Sequence, residues 1–166
     1  MTATPIRLKE VTRMALDMRF FPVPGTHPVS HDLVGVRANF HYGSGNVLQQ
    51  HYADESTMVW TGMSGDFTGV QQTEKTLRVF KTAPAQYFIT WYEAGTVATA
   101  AHGEVFDQGY PIAVVADFHR LVATAAYTNP REDGGQYFLV DQATIEILED
   151  PQGLIAALAR EPARPS

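Results

Sequence analysis

From Val34 onward, apolar and polar positions alternate in short runs rich in Val, Thr, Tyr, Phe and Trp, and Gly, Asn, Asp or Pro interrupts each run. Runs of period two between turn residues read as strands with one buried face. They predict strands over 34–42, 46–53, 56–62, 65–72, 75–82, 86–93, 96–101, 112–118, 120–127 and 136–141. The links, such as GSG at 43–45, are mostly too short for parallel crossovers, so neighbouring strands should be antiparallel. An up-and-down barrel of about eight to ten strands removes the exposed edges and leaves an interior able to hold one small ligand.

The ends of the chain break this texture. Residues 6–20 have loose helical spacing, and the prolines of FFPVPGTHPVSHD then stop any helix. The stretch DPQGLIAALAR at 150–160 offers an N-cap Asp, a Pro in the first turn, and Leu154, Ile155 and Leu158 on one side. The expected fold is therefore all-β, with short N- and C-terminal helices. It divides into a helix and loop over 1–33, a barrel over 34–149, and a helix and tail over 150–166, in a single domain.

Composition narrows the chemistry. With 166 residues, 45% of them hydrophobic, the chain can bury a real core without staples. A net charge of −6, with 12 Lys and Arg that form no run, argues against a nucleic-acid partner. Cysteine is absent, which removes disulfides, thiolate catalysis and Cys-based metal sites. No usual metal-ligand spacing and no dinucleotide-binding glycine motif occurs, so neither metal nor cofactor is expected. No run approaches the length of a membrane span and the first residues lack a leader-like apolar stretch, so a cytoplasmic location with no membrane partner is expected.

The stretch QYFITWYEAG at 86–95 raises the main chemical question. Read as a strand, it places Tyr87, Ile89, Trp91 and Glu93 on one face. Alternation also turns Phe40, Tyr42, Tyr52 and Trp60 inward, giving a lumen lined with aromatic rings. Such a lumen suits an apolar or aromatic small molecule. A carboxyl group within it is desolvated, which raises its pKa and makes it a general acid or base at neutral pH. The competing reading is that Glu93 marks the place where the strand leaves the core for solvent.

These segments, VGVRANFHYGSGN, YADESTMVWTGMSGDFTG and QYFITWYEAG, resemble the lipocalin-like barrels of the phenolic acid decarboxylases and of the MoaF-like group. The resemblance covers roughly residues 34–128. It implies that Glu93 matches the acid/base Glu of a W-x-E motif and that Tyr42 matches one of two substrate-holding Tyr residues. The second of those tyrosines is Phe40 here, and the family's Arg has no counterpart in GDFTGVQQ. Those two losses weaken carboxylate capture and leave the barrel and the buried Glu.

Two functions follow as expectations. The first is a cofactor-independent lyase, isomerase, dehydratase or cyclase with Glu93 and Tyr42 as catalytic groups. Phe40, Tyr52, Trp60, Tyr87 and Trp91 would bind its substrate. Arg78 would join them if the register turns it inward, and a shift of one residue would turn it out. The second is a non-catalytic carrier of an apolar molecule. Phe88, Tyr92 and Phe80 on the outer face would form a homodimer patch.

Overall fold

A computed structural model describes Val23, residues 26–93, 109–130 and 136–153, Ile155 and Ala157. It contains β1 (Arg37–Tyr42), β2 (Val47–Tyr52), β3 (Met58–Ser64), β4 (Gln71–Glu74), β5 (Arg78–Ala83), β6 (Gln86–Glu93), β7 (Tyr110–Asp117), β8 (Val122–Pro130) and β9 (Gln136–Glu149). All nine join one sheet in the order β4-β3-β2-β1-β9-β8-β7-β6-β5, and every pairing is antiparallel. The fold is the expected all-β, up-and-down architecture. The sheet curls into a half-barrel.

Side chains draw the two ends of the curl together. The Trp60 indole, second strand from one end, donates to Glu93, second strand from the other, at 2.7 Å. Beside it, within the β5–β6 end, the Tyr92 backbone N–H donates to the Thr76 hydroxyl at 2.8 Å. Inside the curl lies one continuous core, with Phe40, Tyr52, Met58, Tyr87, Ile89 and Phe118 almost wholly buried. Perpendicular ring contacts at Phe40–Phe118, 6.5 Å, and Tyr87–Phe118, 5.9 Å, fill one end of it. Leu33 and Val36, from the turn before β1, and Ile155 are buried as well.

Several boundaries differ from the sequence expectation. Residues 65–72 are not one strand: Gly65–Phe67 form a 3₁₀ turn, and β4 begins only at Gln71. Gly65 takes φ +81°, a conformation closed to an extended run and cheap only for glycine. β9 runs to Glu149 rather than ending near residue 141, because Ala143, Ile145 and Ile147 keep facing the core. Pro151 lies in a turn closed by the Gly153 N–H on the Asp150 carbonyl, 2.9 Å, and Ile155 and Ala157 are helical beyond it. The Asp150 carboxylate accepts from the Ile155 N–H at 3.0 Å, the capping role expected of it. The N-terminal helix and the strand over 96–101 lie outside the described residues. No helix among the described residues is long and apolar enough to cross a membrane.

Candidate active site

Strand β6 alternates without interruption. Tyr87, Ile89, Trp91 and Glu93 are buried, and the four residues between them are half-buried on the outer side. Glu93 is 2% exposed, so the solvated-end reading does not hold. Its two oxygens each accept an indole N–H, Oε1 from Trp60 and Oε2 from Trp91, both at 2.7 Å. The Glu74 side chain is hydrogen-bonded to Glu93 as well. Glu74 is itself 0% exposed and accepts from the Gln72 amide at 2.6 Å.

Two carboxyl groups in hydrogen-bond contact require a proton between them. Burial, first, and the charge of Glu74, second, push the Glu93 carboxyl up to about 8 from its ordinary 4.5, while the two indole donors pull the other way. A hydrogen bond to a charged group is worth roughly 1.5–3 kcal/mol, so the indoles alone would favour ionisation. Desolvation and the like charge outweigh them. Glu93 therefore keeps its proton at neutral pH.

Tyr110 stands directly across from Glu93 in the β6–β7 register. Burial raises its phenol pKa, and the charges of Glu93, Tyr127 and Glu74 raise it further, which sets Tyr110 beside the carboxyl pair. Gly109 makes that placement feasible. A Cβ there would collide with the Glu93 carbonyl oxygen and the Tyr92 ring, so β7 can start this close to the end of β6 only with glycine. The Tyr92 hydroxyl donates to the Gly109 carbonyl at 2.7 Å and fastens the same junction.

A second group of polar atoms faces the lumen from β1, β2, β8 and β9. Burial raises the Tyr42 phenol, with the charges of Tyr127 and Asp141 adding to it. Tyr42 and Tyr127 are partly buried and pack against the margin of the core. Asp141 lies opposite the buried Ala125, which puts it on the inward face of β9, and its carboxyl group stands beside Gly43 of the β1–β2 turn. Tyr52 is sealed in the core and donates to the buried Gln50 at 2.7 Å.

The expected site residues thus divide. Trp60 and Trp91 meet at Glu93, while Tyr42 stacks on Phe40 at 6.4 Å and belongs to the Tyr127–Asp141 group. Phe40 is fully buried beneath it. Tyr87 lies six residues along β6 from Glu93, about 20 Å at strand rise, and its hydroxyl is given to Asp32 at 3.0 Å. Asp32 also holds Lys81 at 2.6 Å, so the turn before β1 is latched to β5 at this end. Arg78 is placed on the outside: it pairs with Thr90 on the outer face and donates to the Leu77 carbonyl at 2.7 Å. On that face too, Phe80 and Phe88 sit 6.2 Å apart and half-buried.

Sequence reasoning missed Glu74 and Tyr110. Glu74 falls between the strands expected over 65–72 and 75–82, although Gln72 and Glu74 share the two-residue spacing of an inward face. Tyr110 precedes Pro111, which hides the true start of β7. Among the described residues no three His, Asp or Glu side chains gather as a metal site.

Residues 27–102 match the family model of the MoaF C-terminal domain. This match spans a little under half of the chain and contains Tyr42, Trp60, Glu74, Trp91 and Glu93, so the MoaF-like resemblance of the sequence is shown for the segment that carries the carboxyl pair. Tyr110, Tyr127 and Asp141 come from strands beyond the MoaF C-terminal domain match. No curated protein matches the chain.

Proposed function

We propose that this MoaF-like half-barrel binds a ring-bearing, largely apolar small molecule and transfers a proton to or from it, with Glu93 as the general acid or base. The observation that carries this reading is the buried Glu93–Glu74 pair, whose raised carboxyl exchanges its proton near neutral pH. Glu74 supplies the partner oxygen that receives or returns the proton. Tyr110 lies within reach of the same charges, and Tyr42 and Tyr127 offer hydroxyls that orient a ligand along the wall. Isomerisation, dehydration and cyclisation each need only such a proton relay. The test is a panel of enolisable and phenolic aromatic compounds, benzyl methyl ketone, 4-hydroxycinnamaldehyde and 4-hydroxycinnamate, followed by proton NMR in D₂O. The protein should convert or deuterate at least one. Glu93→Gln should bind that compound with similar affinity and lose the reaction, and turnover that survives the substitution would refute the assignment.

A carrier function is the second reading, favoured by the fact that both Glu93 oxygens already accept indole hydrogen bonds. On that reading the pair braces the two ends of the curl. Binding without conversion across the panel would select it.

A further inference from the structure

Inward-facing charge decides which ligands such a lumen admits. The described strands turn three carboxyl side chains toward it: Glu74 and Glu93, paired at the junction of β4 and β6, and Asp141 on β9. Around them stand Tyr42, Tyr110 and Tyr127, groups that accept or donate a hydrogen bond without bringing positive charge. The basic residues of these strands lie elsewhere. Arg37 is on the outer face of β1 and pairs with Glu149 at 3.4 Å, His41 meets Glu146 at 3.3 Å on the same face, and Arg78 lies outside β5. Lys81 shares the face of Tyr87, but it is held by Asp32 at the latched end of the lumen, far from the carboxyl pair. His51 pairs with Arg37 on the outer face, and Lys75, which follows Glu74, is exposed, so among the described strands no basic side chain faces inward beside Glu93.

An anionic ligand here would surrender its hydration and meet Glu74 and Asp141 with no counter-ion from these strands. That is rejection by like charge. A hydroxyl, carbonyl or phenol of the same shape meets only hydrogen-bonding partners.

We infer that the site selects uncharged or cationic ring-bearing molecules and rejects carboxylates, which sets it apart from an aromatic-acid decarboxylase. This inference rests on the lumen being the binding site. Two isosteric pairs test it by equilibrium dialysis of the whole protein at pH 7: cinnamamide against cinnamate, and 1-naphthamide against 1-naphthoate. The neutral member of each pair should bind at least about tenfold more tightly, the effect of one poorly screened like charge. Asp141→Asn should narrow the gap within each pair by improving the carboxylate relative to its neutral partner. A carboxylate that binds the unmodified protein as tightly as its neutral partner overturns the inference while upholding the lumen as the site. If neither member of either pair binds, the binding reading itself falls, and the inference with it.

Discussion

Glu74 and Glu93 occupy strands near opposite ends of the sheet order, β4 and β6, and their side chains nevertheless share a hydrogen bond inside the curl. The contact exists because the sheet bends round until its ends meet. It couples closure of the fold to the protonation of one group. A buried carboxylate pair with two charges would cost several kcal/mol per ion, so the pair holds a proton where isolated glutamates would not.

Stability should therefore fall as pH rises from acid toward neutral. The folded protein holds the Glu93 proton up to about 8, whereas the unfolded chain releases it near 4.5. Between those values the folded state binds more protons, so unfolding becomes easier with each step upward. Urea midpoints should decline from pH 5.5 to pH 8.5 and flatten above. In Glu93→Gln that component of the decline should disappear.

Glu74→Gln should lower the Glu93 pKa. It removes the second-largest contribution to the rise and leaves burial, the largest, opposed by the two indole donors. If proton transfer is the function, the pH profile of turnover should shift to more acidic values, with both Trp hydrogen bonds retained. A profile that does not move would show that Glu74 carries no charge near Glu93.

Gly109→Ala should be strongly destabilising, by roughly 1–3 kcal/mol or more from overpacking. The added methyl would meet the Glu93 carbonyl and the Tyr92 ring, and relief requires β7 to move away and take Tyr110 from the carboxyl pair. The denaturant midpoint and the ligand affinity should both drop.

Tyr87→Phe and Arg78→Ala should separate fold from site. Loss of the Tyr87–Asp32 hydrogen bond should cost about 1 kcal/mol of stability, and ligand affinity should hold because that hydroxyl lies at the latched end. Arg78→Ala should leave affinity unchanged, since the side chain is on the outer face. Weaker binding in either variant would move the site away from Glu93.

How much of this is legible in the chain depends on whether a face alternates cleanly. QYFITWYE does, and its burial follows the two-residue period from Gln86 to Glu93, so the inward Glu could be read directly. The chain from Gly65 to Glu74 does not. A glycine at positive φ and a 3₁₀ turn interrupt it, so local pattern runs the turn and the start of β4 together and leaves Glu74 between strands. The outward face of Arg78 depends on its pairing with Thr90, a long-range register that local pattern cannot supply. Tyr110 matters only because Gly109 lets two strands converge there, which again is a property of the folded sheet. Most of the described strands are readable locally. The meeting of distant strands is not.

The protein contains two tryptophans, Trp60 and Trp91, and both donate their indole N–H to Glu93, so their fluorescence reports directly on that carboxyl group. Emission measured from pH 5 to pH 9.5 should show one transition with a midpoint near 8 that is absent in Glu93→Gln. A flat profile across this range, or a midpoint close to the ordinary 4.5 of a glutamate, would contradict a proton held on Glu93 inside the barrel at neutral pH.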